Sequence, residues 1–283
     1  MVTVSEIYRK SKSILKESGT DDYEFDVKCI IEDVLGMGFA QLMISGRGVS
    51  ESDEKRIADM TEKRAAGYPL QYILGEWEFY GLPFRVGEGV LIPRPDTETL
   101  VETAVEYIKM HENPKIADLC AGSGCIAVSV EKNAVNSEVY AVELSDKAYS
   151  YLEKNIVLND SAVKAVKGDV LSESTADKFH ELDIIVSNPP YLTAEDMKNL
   201  QKEVSYEPEL ALCGKTPDGL EFYRIIPKIW RNSLKTGGMM AFEIGIGQEN
   251  DVVKILENNN FSDIKTYKDL SGITRVVSGI KKH

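Results

Sequence analysis

The residues best suited to chemistry form the run Asn188-Pro189-Pro190-Tyr191, which directly follows a predicted buried strand at 182–187. Proline fixes φ at about −65° and has no N–H, and Pro190 also holds Pro189 in an extended conformation. The result is a stiff loop whose carbonyl groups face no competing donors. A planar nitrogen with two N–H groups can donate one to the Asn188 side-chain oxygen and one to the Pro189 carbonyl. Tyr191 offers an aromatic face to the same flat group.

This loop is suited to a reaction at a planar nitrogen. An amide nitrogen is a poor nucleophile because its lone pair is delocalised into the carbonyl group. Two acceptors polarise the N–H bonds, and the fixed loop aims the nitrogen at an electrophilic methyl group, so that positioning supplies much of the acceleration. We therefore predict Asn188, Pro189 and Tyr191 as catalytic residues, and these three with Pro190 as substrate-binding residues. An irregular loop or a proline-rich partner motif is the alternative interpretation.

A glycine turn at 118–126 is the second candidate site. A strand that runs into two glycines and then into a helix places backbone N–H groups at the carboxyl edge of a sheet. Gly122 and Gly124 allow a ligand to approach the main chain where a Cβ atom would collide. Glu143 ends the next predicted strand and is placed to bind ribose hydroxyls. The dinucleotide motif requires a third glycine where this chain has Ala127, which favours a single nucleoside such as S-adenosylmethionine over a nicotinamide cofactor.

Asp169 follows the third predicted strand, where it could reach an adenine amino group while Val170 packs on the ring; a solvated loop aspartate is the alternative. No metal site is predicted, because Cys120 and Cys125 have no third cysteine or histidine nearby. The predicted cofactor-binding residues are Asp118, Cys120, Ala121, Gly122, Ser123, Gly124, Glu143, Asp169, Val170 and Asn188.

The elements that must position these residues alternate between strand and helix from about residue 96. The predicted strands lie at 115–120, 138–143, 162–166, 182–187, 239–244, 261–267 and 273–280. Regular alternation of this kind predicts an α/β fold with a parallel, doubly wound sheet and helices on both faces. Such sheets bind ligands at the carboxyl ends of their strands, so the glycine turn and the Asn188 loop are expected at one edge.

The first part of the chain has a different texture. Its apolar pattern and cap residues predict three helices: one at about 5–19, one that ends at a left-handed cap at Gly36, and one that begins at an N-cap at Ser50. Aromatic and β-branched residues around Gly81 and Gly87 then predict a short β-hairpin. The expected domains are a helical domain at 1–74, a β-hairpin linker at 75–95 and a catalytic domain at 96–283.

The bulk composition limits the class of partner. Hydrophobic residues make up 43% of the chain and charged residues 28%, as in ordinary globular proteins. No stretch has the pattern of a signal peptide or membrane span, and the four scattered cysteines are typical of a reducing compartment, so we expect a cytoplasmic protein. The net charge is −13, without a cluster of basic residues, which argues against direct binding of nucleic acid and leaves no reason to expect a membrane partner.

Together these residues resemble the release factor glutamine methyltransferases, the PrmC or HemK family. The likeness covers nearly the whole chain. Asn-Pro-Pro-Tyr alone is shared with methyltransferases that act on amino groups of DNA and RNA, whereas its combination with the run from Ile92 to Glu98 is much narrower. The segments that carry the resemblance are Gly67–Gly75, Phe79–Gly81, Leu91–Glu98, the glycine turn, Asn188–Tyr191, Glu207–Pro208 and Asp218–Leu220.

The resemblance implies a class I S-adenosylmethionine-dependent methyltransferase with a Rossmann-like seven-stranded sheet, an N-terminal helical bundle that recognises the protein substrate, and a hairpin linker. It also implies N5-methylation of the glutamine in the Gly-Gly-Gln motif of class-1 peptide chain release factors. Residues 120–124, Glu143, Val170 and Asn188 would then line the cofactor. Cys120 departs from the family pattern, because many members have glycine there.

Three alternatives stay open at this point. A sister glutamine methyltransferase that acts on a ribosomal protein would share the Asn188 loop. A methyltransferase for amino groups of nucleic acid would share it too, although the acidic balance disfavours that class. A protein that binds S-adenosylmethionine only to scaffold partners would be expected to have a disrupted loop, and the loop is intact. The Ile92–Glu98 run, which reads as a rigid linker or as a lid over the cofactor, favours release factors.

Overall fold

The computed structural model describes residues 2–46, 48–134 and 136–282. Its contacts divide the chain into two units. The helical unit contains Met1–Glu76 and Gln201–Tyr206, and the sheet unit contains Trp77–Leu200 and Glu207–His283. The first division falls two residues beyond the predicted end of the helical domain. Sequence reasoning did not anticipate that residues 201–206 belong to the helical unit.

Among its described residues the helical unit contains five α-helices, of which two begin at a side-chain cap and three end at a left-handed glycine. Thr3 and Glu6 form a reciprocal capping box at the first helix, and Ser50 caps the fourth by accepting from the Asp53 N–H at 3.1 Å. Gly36 ends the second helix in the left-handed conformation, as predicted. The elements are β1 (Val2–Thr3), α1 (Val4–Glu17), α2 (Tyr23–Leu35), α3 (Phe39–Ser45), β2 (Gly48–Val49), α4 (Glu51–Ala65) and α5 (Leu70–Leu74).

A buried charge network lies inside the helical unit. The Arg64 side chain is almost fully buried, and its Nε donates to Asp26 Oδ2 at 2.6 Å. Its guanidinium also pairs with Glu203. Nearby, the ring of Tyr206 packs edge-on against Tyr68 with centroids 5.0 Å apart. These contacts explain why residues 201–206 are part of this unit.

A β-hairpin follows, formed by β3 (Glu76–Phe79) and β4 (Leu82–Arg85). Its two turn residues, Tyr80 and Gly81, have φ of 52° and 73°. Two positive φ values at the centre of a tight hairpin match the turn geometry that suits twisted strands. The rings of Phe79 and Phe84 are buried and 6.1 Å apart, so the hairpin contributes to the core beside it.

The sheet unit contains a seven-stranded sheet in the order β10-β11-β9-β8-β5-β6-β7. All neighbouring strands from β9 to β7 pair in parallel, whereas β11 runs antiparallel to both of its neighbours. This confirms the predicted α/β fold with a Rossmann-like seven-stranded sheet. The elements are α6 (Glu98–Ile108), β5 (Lys115–Leu119), α7 (Cys125–Asn133), β6 (Glu138–Glu143), α8 (Asp146–Leu158), β7 (Lys164–Lys167), α9 (Glu173–Ala176), β8 (Leu182–Ser187), α10 (Glu209–Leu212), α11 (Glu221–Trp230), β9 (Leu234–Glu243), α12 (Glu249–Asn258), β10 (Phe261–Lys268) and β11 (Thr274–Lys281).

Helices cover both faces of the sheet, and the strand period of two sorts the side chains between them. Ile116 of β5 belongs to one buried cluster with residues of α6 and α7, while Ala117 and Leu119 belong to the other with residues of α11 and α12. In β8, Ile184 and Val186 belong to the first cluster and Ile185 to the second. Strands covered on both faces are almost continuously apolar, which is why β6 and β8 were visible in the sequence.

The structure differs from the predicted elements in places. β9 begins at Leu234 and runs through Gly237-Gly238, whereas the glycine pair was interpreted as a turn before a strand at 239. The pairing of β8 with β9 shifts register there, and a glycine pair accommodates such an irregularity. The helix after the glycine turn begins at Cys125. Among residues 2–46, 48–134 and 136–282, no helix is long and apolar enough to cross a membrane.

Candidate active site

A cleft lies at the carboxyl ends of β5, β6 and β8. This is the edge at which the sequence placed the glycine turn and the Asn188 loop, and both contribute to its wall. Segment 89–97 and residues from 208 to 222 complete the lining. The cleft brings together nine predicted site residues: Cys120, Ala121, Gly122, Ser123, Glu143, Asp169, Val170, Asn188 and Pro190.

Four predicted site residues, each within the described part of the chain, are not part of that lining. Asp118 is fully buried and accepts the Ala127 N–H at 3.1 Å, so it holds the first turn of α7. Burial raises the pKa of its carboxyl group well above the usual value. Gly124 has φ of 80° and caps the same helix. Pro189 is buried, and Tyr191 is half-buried against the core behind the loop.

The glycine turn is shaped by three left-handed residues. Cys120 has φ of 63°, a conformation that favours glycine. Gly122 has φ of 56°, and nothing lies within 4 Å of the place where its Cβ would be. At Gly124, by contrast, a Cβ would stand 2.4 Å from Leu152 Cδ1. The turn therefore presents bare backbone to the cleft at Gly122 and packs against α8 at Gly124.

Glu143 stands across from that backbone. Its Oε2 accepts the Gly122 N–H at 2.8 Å, and its Oε1 accepts the Ser145 N–H at 2.6 Å. An ionised carboxylate has about four lone-pair positions, so each oxygen can accept a further hydrogen bond from a ligand. Asp169 also lines the cleft, and its Oδ1 accepts the Leu171 N–H at 2.9 Å. The cleft thus offers two carboxyl groups held at fixed orientations by backbone donors.

The Asn188 loop is anchored on both sides. Before the prolines, Asn188 Nδ2 donates to Thr97 Oγ1 at 3.3 Å. After them, the Tyr191 carbonyl accepts from Gln248 Nε2 at 3.2 Å, and Leu192 pairs with Cys213 as an isolated parallel bridge. Gly219 is required beside this loop, because a Cβ there would stand 2.1 Å from the Tyr191 carbonyl oxygen.

Glu243 is a site residue that the sequence analysis missed. It ends β9 and is only 2% exposed, next to the end of β8 from which Asn188 continues. Burial raises the pKa of its carboxyl group to about 7, against the opposing effects of the Thr97 hydroxyl, Arg275 and the Asn188 amide. A lone carboxylate at the end of the apolar run 239–242 was the available signal.

Two further buried polar residues shape the cleft without having been predicted. Glu207 accepts the Ile92 N–H at 3.0 Å and pairs with Arg94, which fixes the wall formed by segment 89–97. Asn155 is completely buried and bonds to Arg85 N–H at 2.6 Å, to the Arg85 carbonyl at 3.1 Å and to the Ser123 carbonyl at 2.8 Å. It therefore ties the hairpin to the glycine turn.

Comparisons with known proteins agree with this geometry. Residues 6–75 match the PrmC N-terminal domain, and residues 96–205 match the methyltransferase small domain. A release factor glutamine methyltransferase of Fusobacterium nucleatum is 41% identical over 96% of this chain and 77% of its own length. One from Clostridium acetobutylicum is 38% identical over 96% of both chains.

Among solved structures, a 16S rRNA N2 G1207 methyltransferase of T. thermophilus in complex with AdoMet and guanosine aligns with a TM-score of 0.53 at 18% identity. It covers 73% of this chain and 50% of that chain, and at this identity the likeness concerns the fold alone. The two relatives, by contrast, are well above 30% identical over most of both chains. The chain belongs to the release factor glutamine methyltransferase family.

Proposed function

We propose that this chain methylates N5 of the glutamine in the Gly-Gly-Gln motif of class-1 peptide chain release factors, with S-adenosylmethionine as methyl donor. One observation carries the proposal: the Asn188 loop and the Gly122–Glu143 pair line the same cleft. An acceptor for a planar nitrogen and a pocket suited to a nucleoside are therefore within one enclosure. The substrate class comes from the names of the relatives at 38–41% identity.

The cleft residues fit the donor. The space at Gly122 leaves room for a ligand against bare backbone, and the fixed Glu143 carboxylate suits the two hydroxyls of a ribose. Val170 and Leu144 supply apolar wall for an adenine ring, and Asp169 is placed for its amino group. When bound, S-adenosylmethionine supplies a methyl group on a positively charged sulfur. Asp118 and Gly124 support this pocket from behind by setting the start of α7.

The chain's own residues would hold the substrate amide. Because Asn188 Nδ2 donates to Thr97, the Asn188 Oδ1 is the atom left to accept a substrate N–H. Pro189 is not part of the cleft lining, so its assignment as the second acceptor rests on the loop sequence: its carbonyl follows Asn188 directly, and buried Pro190 keeps that carbonyl fixed. We assign Tyr191 as a positioning residue, because its ring is not part of the lining and its carbonyl is held by Gln248.

The proposal includes the choice of partner and compartment. A free Gly-Gly-Gln loop is a flexible protein segment that can enter a cleft, and the net charge of −13 argues against nucleic acid as an alternative substrate. We place the reaction in the cytoplasm, where release factors act on ribosomes. A ribosomal protein is the rival substrate, because it would use the same loop.

The test is a methyl-transfer assay with labelled S-adenosylmethionine. Release factor, the same release factor with the motif glutamine replaced by alanine, ribosomal proteins and DNA are compared side by side. We expect label only on the unaltered release factor. Equal label on the alanine form, or preferential label on a ribosomal protein or DNA, would contradict the proposed substrate.

The role of Asn188 is tested separately in the same assay. Asn188→Ala should lower kcat by about 100-fold or more, with little effect on the Kd for S-adenosylmethionine, because a preorganised polar contact to the reacting group is lost. Asn199→Ala is the matched control, since Asn199 is exposed on the same segment and bonds only locally. Unchanged turnover in Asn188→Ala would remove Asn188 from its assigned role.

A further inference from the structure

Three buried or half-buried polar side chains lie one after another from the cleft wall toward the core. Asn188 Nδ2 donates to Thr97 Oγ1 at 3.3 Å, and both of these residues line the cleft. Thr97 is 2% exposed, and its hydroxyl and the Asn188 amide both lie near the Glu243 carboxylate. In the pairing of β8 with β9, Ser187 is opposite Phe242, so Asn188 and Glu243 are the next residues along the two chains. Glu243 itself is not part of the lining. The order from cleft to core is therefore Asn188, Thr97, Glu243.

The chemistry of these groups gives the series a direction. An ionised carboxylate can only accept hydrogen bonds, so a Thr97 hydroxyl that bonds to Glu243 must use its single proton as the donor. The Thr97 oxygen then has only lone pairs left, so it can receive a proton but not give one to Asn188. Asn188 must therefore donate to Thr97 from its NH₂ group, because an amide oxygen that faced Thr97 would have no donor there. The amide oxygen is consequently directed to the other side, toward the cleft.

We propose that Glu243, acting through Thr97, is a positioning residue that fixes the orientation of the Asn188 side-chain amide, so that its oxygen rather than its nitrogen faces the substrate. This inference rests on the proposed function, in which that oxygen accepts an N–H of the substrate glutamine. If the Asn188 amide were inverted, its NH₂ group would face the N–H of the substrate glutamine, and two donors cannot form a hydrogen bond. The Glu243 carboxylate thus prevents a 180° turn about the last side-chain bond of Asn188, which sterics alone would allow because oxygen and NH₂ are nearly equal in size.

The burial of the Glu243 carboxylate is only partly compensated by polar and charged groups around it. Within the described residues its Oε2 has no hydrogen-bond partner, so burial is incompletely compensated. Arg275 of β11 favours the charged form of Glu243, while Asp96, two residues before α6, opposes it. Tyr191, Tyr223 and the Cys125 thiol at the start of α7 also face it. The Tyr223 hydroxyl donates to the backbone carbonyl of Glu243 rather than to its carboxylate.

The orientation should therefore depend on pH. With the pKa of Glu243 raised to about 7, the carboxylate gains a proton as the pH falls through neutrality. A protonated Glu243 can donate to Thr97, and the direction of the series is then no longer imposed. We expect kcat with a release factor to rise with pH through about 7, and we expect this rise to disappear in Glu243→Gln.

Substitutions at Thr97 separate a missing hydroxyl from altered packing. Thr97→Val keeps the shape but removes the relay, so kcat should fall about tenfold or more while the Kd for S-adenosylmethionine stays within about twofold. Thr97→Ser keeps the hydroxyl and should retain kcat within about threefold of the unaltered chain. Equal kcat in the valine and serine variants would overturn the proposal.

A paired substitution tests the direction itself. Asn188→Asp places a second carboxylate beside Glu243 and should abolish turnover. Adding Glu243→Gln gives a donor at the buried end, so that Thr97 can accept from it and donate to the introduced carboxylate. The double variant should therefore recover turnover by about tenfold over Asn188→Asp alone. No recovery at any pH between 6 and 8 would count against the relay.

A readout without turnover is the NMR signal of the Asn188 side-chain NH₂ in protein labelled with ¹⁵N-asparagine. This signal should shift with pH with a midpoint near 7, and the shift should be absent in Glu243→Gln. A pH-independent signal in the unaltered chain would overturn the inference. If instead Asn188→Ala retained turnover, the proposed function of the loop would fail; if Asn188→Ala lost turnover but Thr97→Val did not, only the relay would fail.

Discussion

Replacement of Glu243 by glutamine should stabilise the sheet unit at alkaline pH while it impairs turnover. The pKa of the buried carboxyl group is raised from its ordinary value of 4.5 to about 7. A raised pKa means that the folded chain holds a proton that the unfolded chain has already released between these two values. The stability contributed by the protonated group is therefore complete below pH 4.5 and is lost as the pH rises through about 7.

The magnitude follows from that difference in pKa. At about 1.4 kcal/mol per pH unit, the ionised carboxylate should cost the folded state about 3 kcal/mol above pH 8. Glutamine is neutral at every pH and nearly the same shape, so Glu243→Gln should avoid this cost. Its advantage in the free energy of unfolding should be about 3 kcal/mol larger at pH 8.5 than at pH 5. For a chain of this size, that corresponds to a rise in Tm of roughly 6–12 °C.

The assay is urea or thermal unfolding of both forms at the two pH values, followed by tryptophan fluorescence, to which Trp77 and the fully buried Trp230 both contribute. Glu153→Gln on the exposed face of α8 is the control and should change the free energy of unfolding by less than about 0.5 kcal/mol at either pH. The same difference between Glu243→Gln and the unaltered chain at pH 5 and pH 8.5 would refute the reasoning, because it would mean that Glu243 does not titrate in this range in the folded chain.

Three further predictions concern residues outside that series. Cys120→Gly should change the free energy of unfolding by less than about 1 kcal/mol, because relief of backbone strain at φ of 63° offsets the lost packing. Cys120→Val should lose more than about 2 kcal/mol, because a β-branched residue is strained at this φ. A larger loss for the glycine variant than for the valine variant in urea unfolding would contradict this. Asn155→Ala should cost about 3 kcal/mol and weaken S-adenosylmethionine binding, since it removes three buried hydrogen bonds; a loss below about 1 kcal/mol would contradict it. Arg64→Met should cost the helical unit about 3 kcal/mol by leaving Asp26 buried without its partner, and adding Asp26→Leu should restore most of that loss in the same unfolding assay.

The parts of the fold that the sequence revealed are those with local causes. The bounds of β6 and β8 were predicted to the residue, because uninterrupted apolar runs with charged or turn-forming flanks leave little choice. The caps at Gly36 and Ser50 were likewise predictable from single residues. β9 was shortened in the prediction because Gly237-Gly238 is typical of turns, and only the pairing with β8 shows that a strand continues through it.

The missed site residues have distant causes. Thr97 and Asn188 are 91 positions apart, and Asn155 bonds to a backbone 70 positions away. Asn155 stands alone in its segment as an ordinary polar residue, and Thr97 was noticed only as part of the Ile92–Glu98 run. No spacing rule connects either residue with its partner. Asp118 is a different case: its place near the end of β5 suggested a ligand contact, and in the structure its side chain is fully buried and accepts the Ala127 N–H of α7.

The membership of residues 201–206 in the helical unit has a consequence for the evolution and engineering of such chains. A fragment that starts at Trp77 would keep Glu203 and Tyr206 but lose Arg64 and Tyr68, the residues that they contact. The first 76 residues are equally incomplete by themselves. The two units are therefore not interchangeable cassettes: a gene fusion that exchanges the N-terminal part must also transplant a short stretch from the middle of the chain.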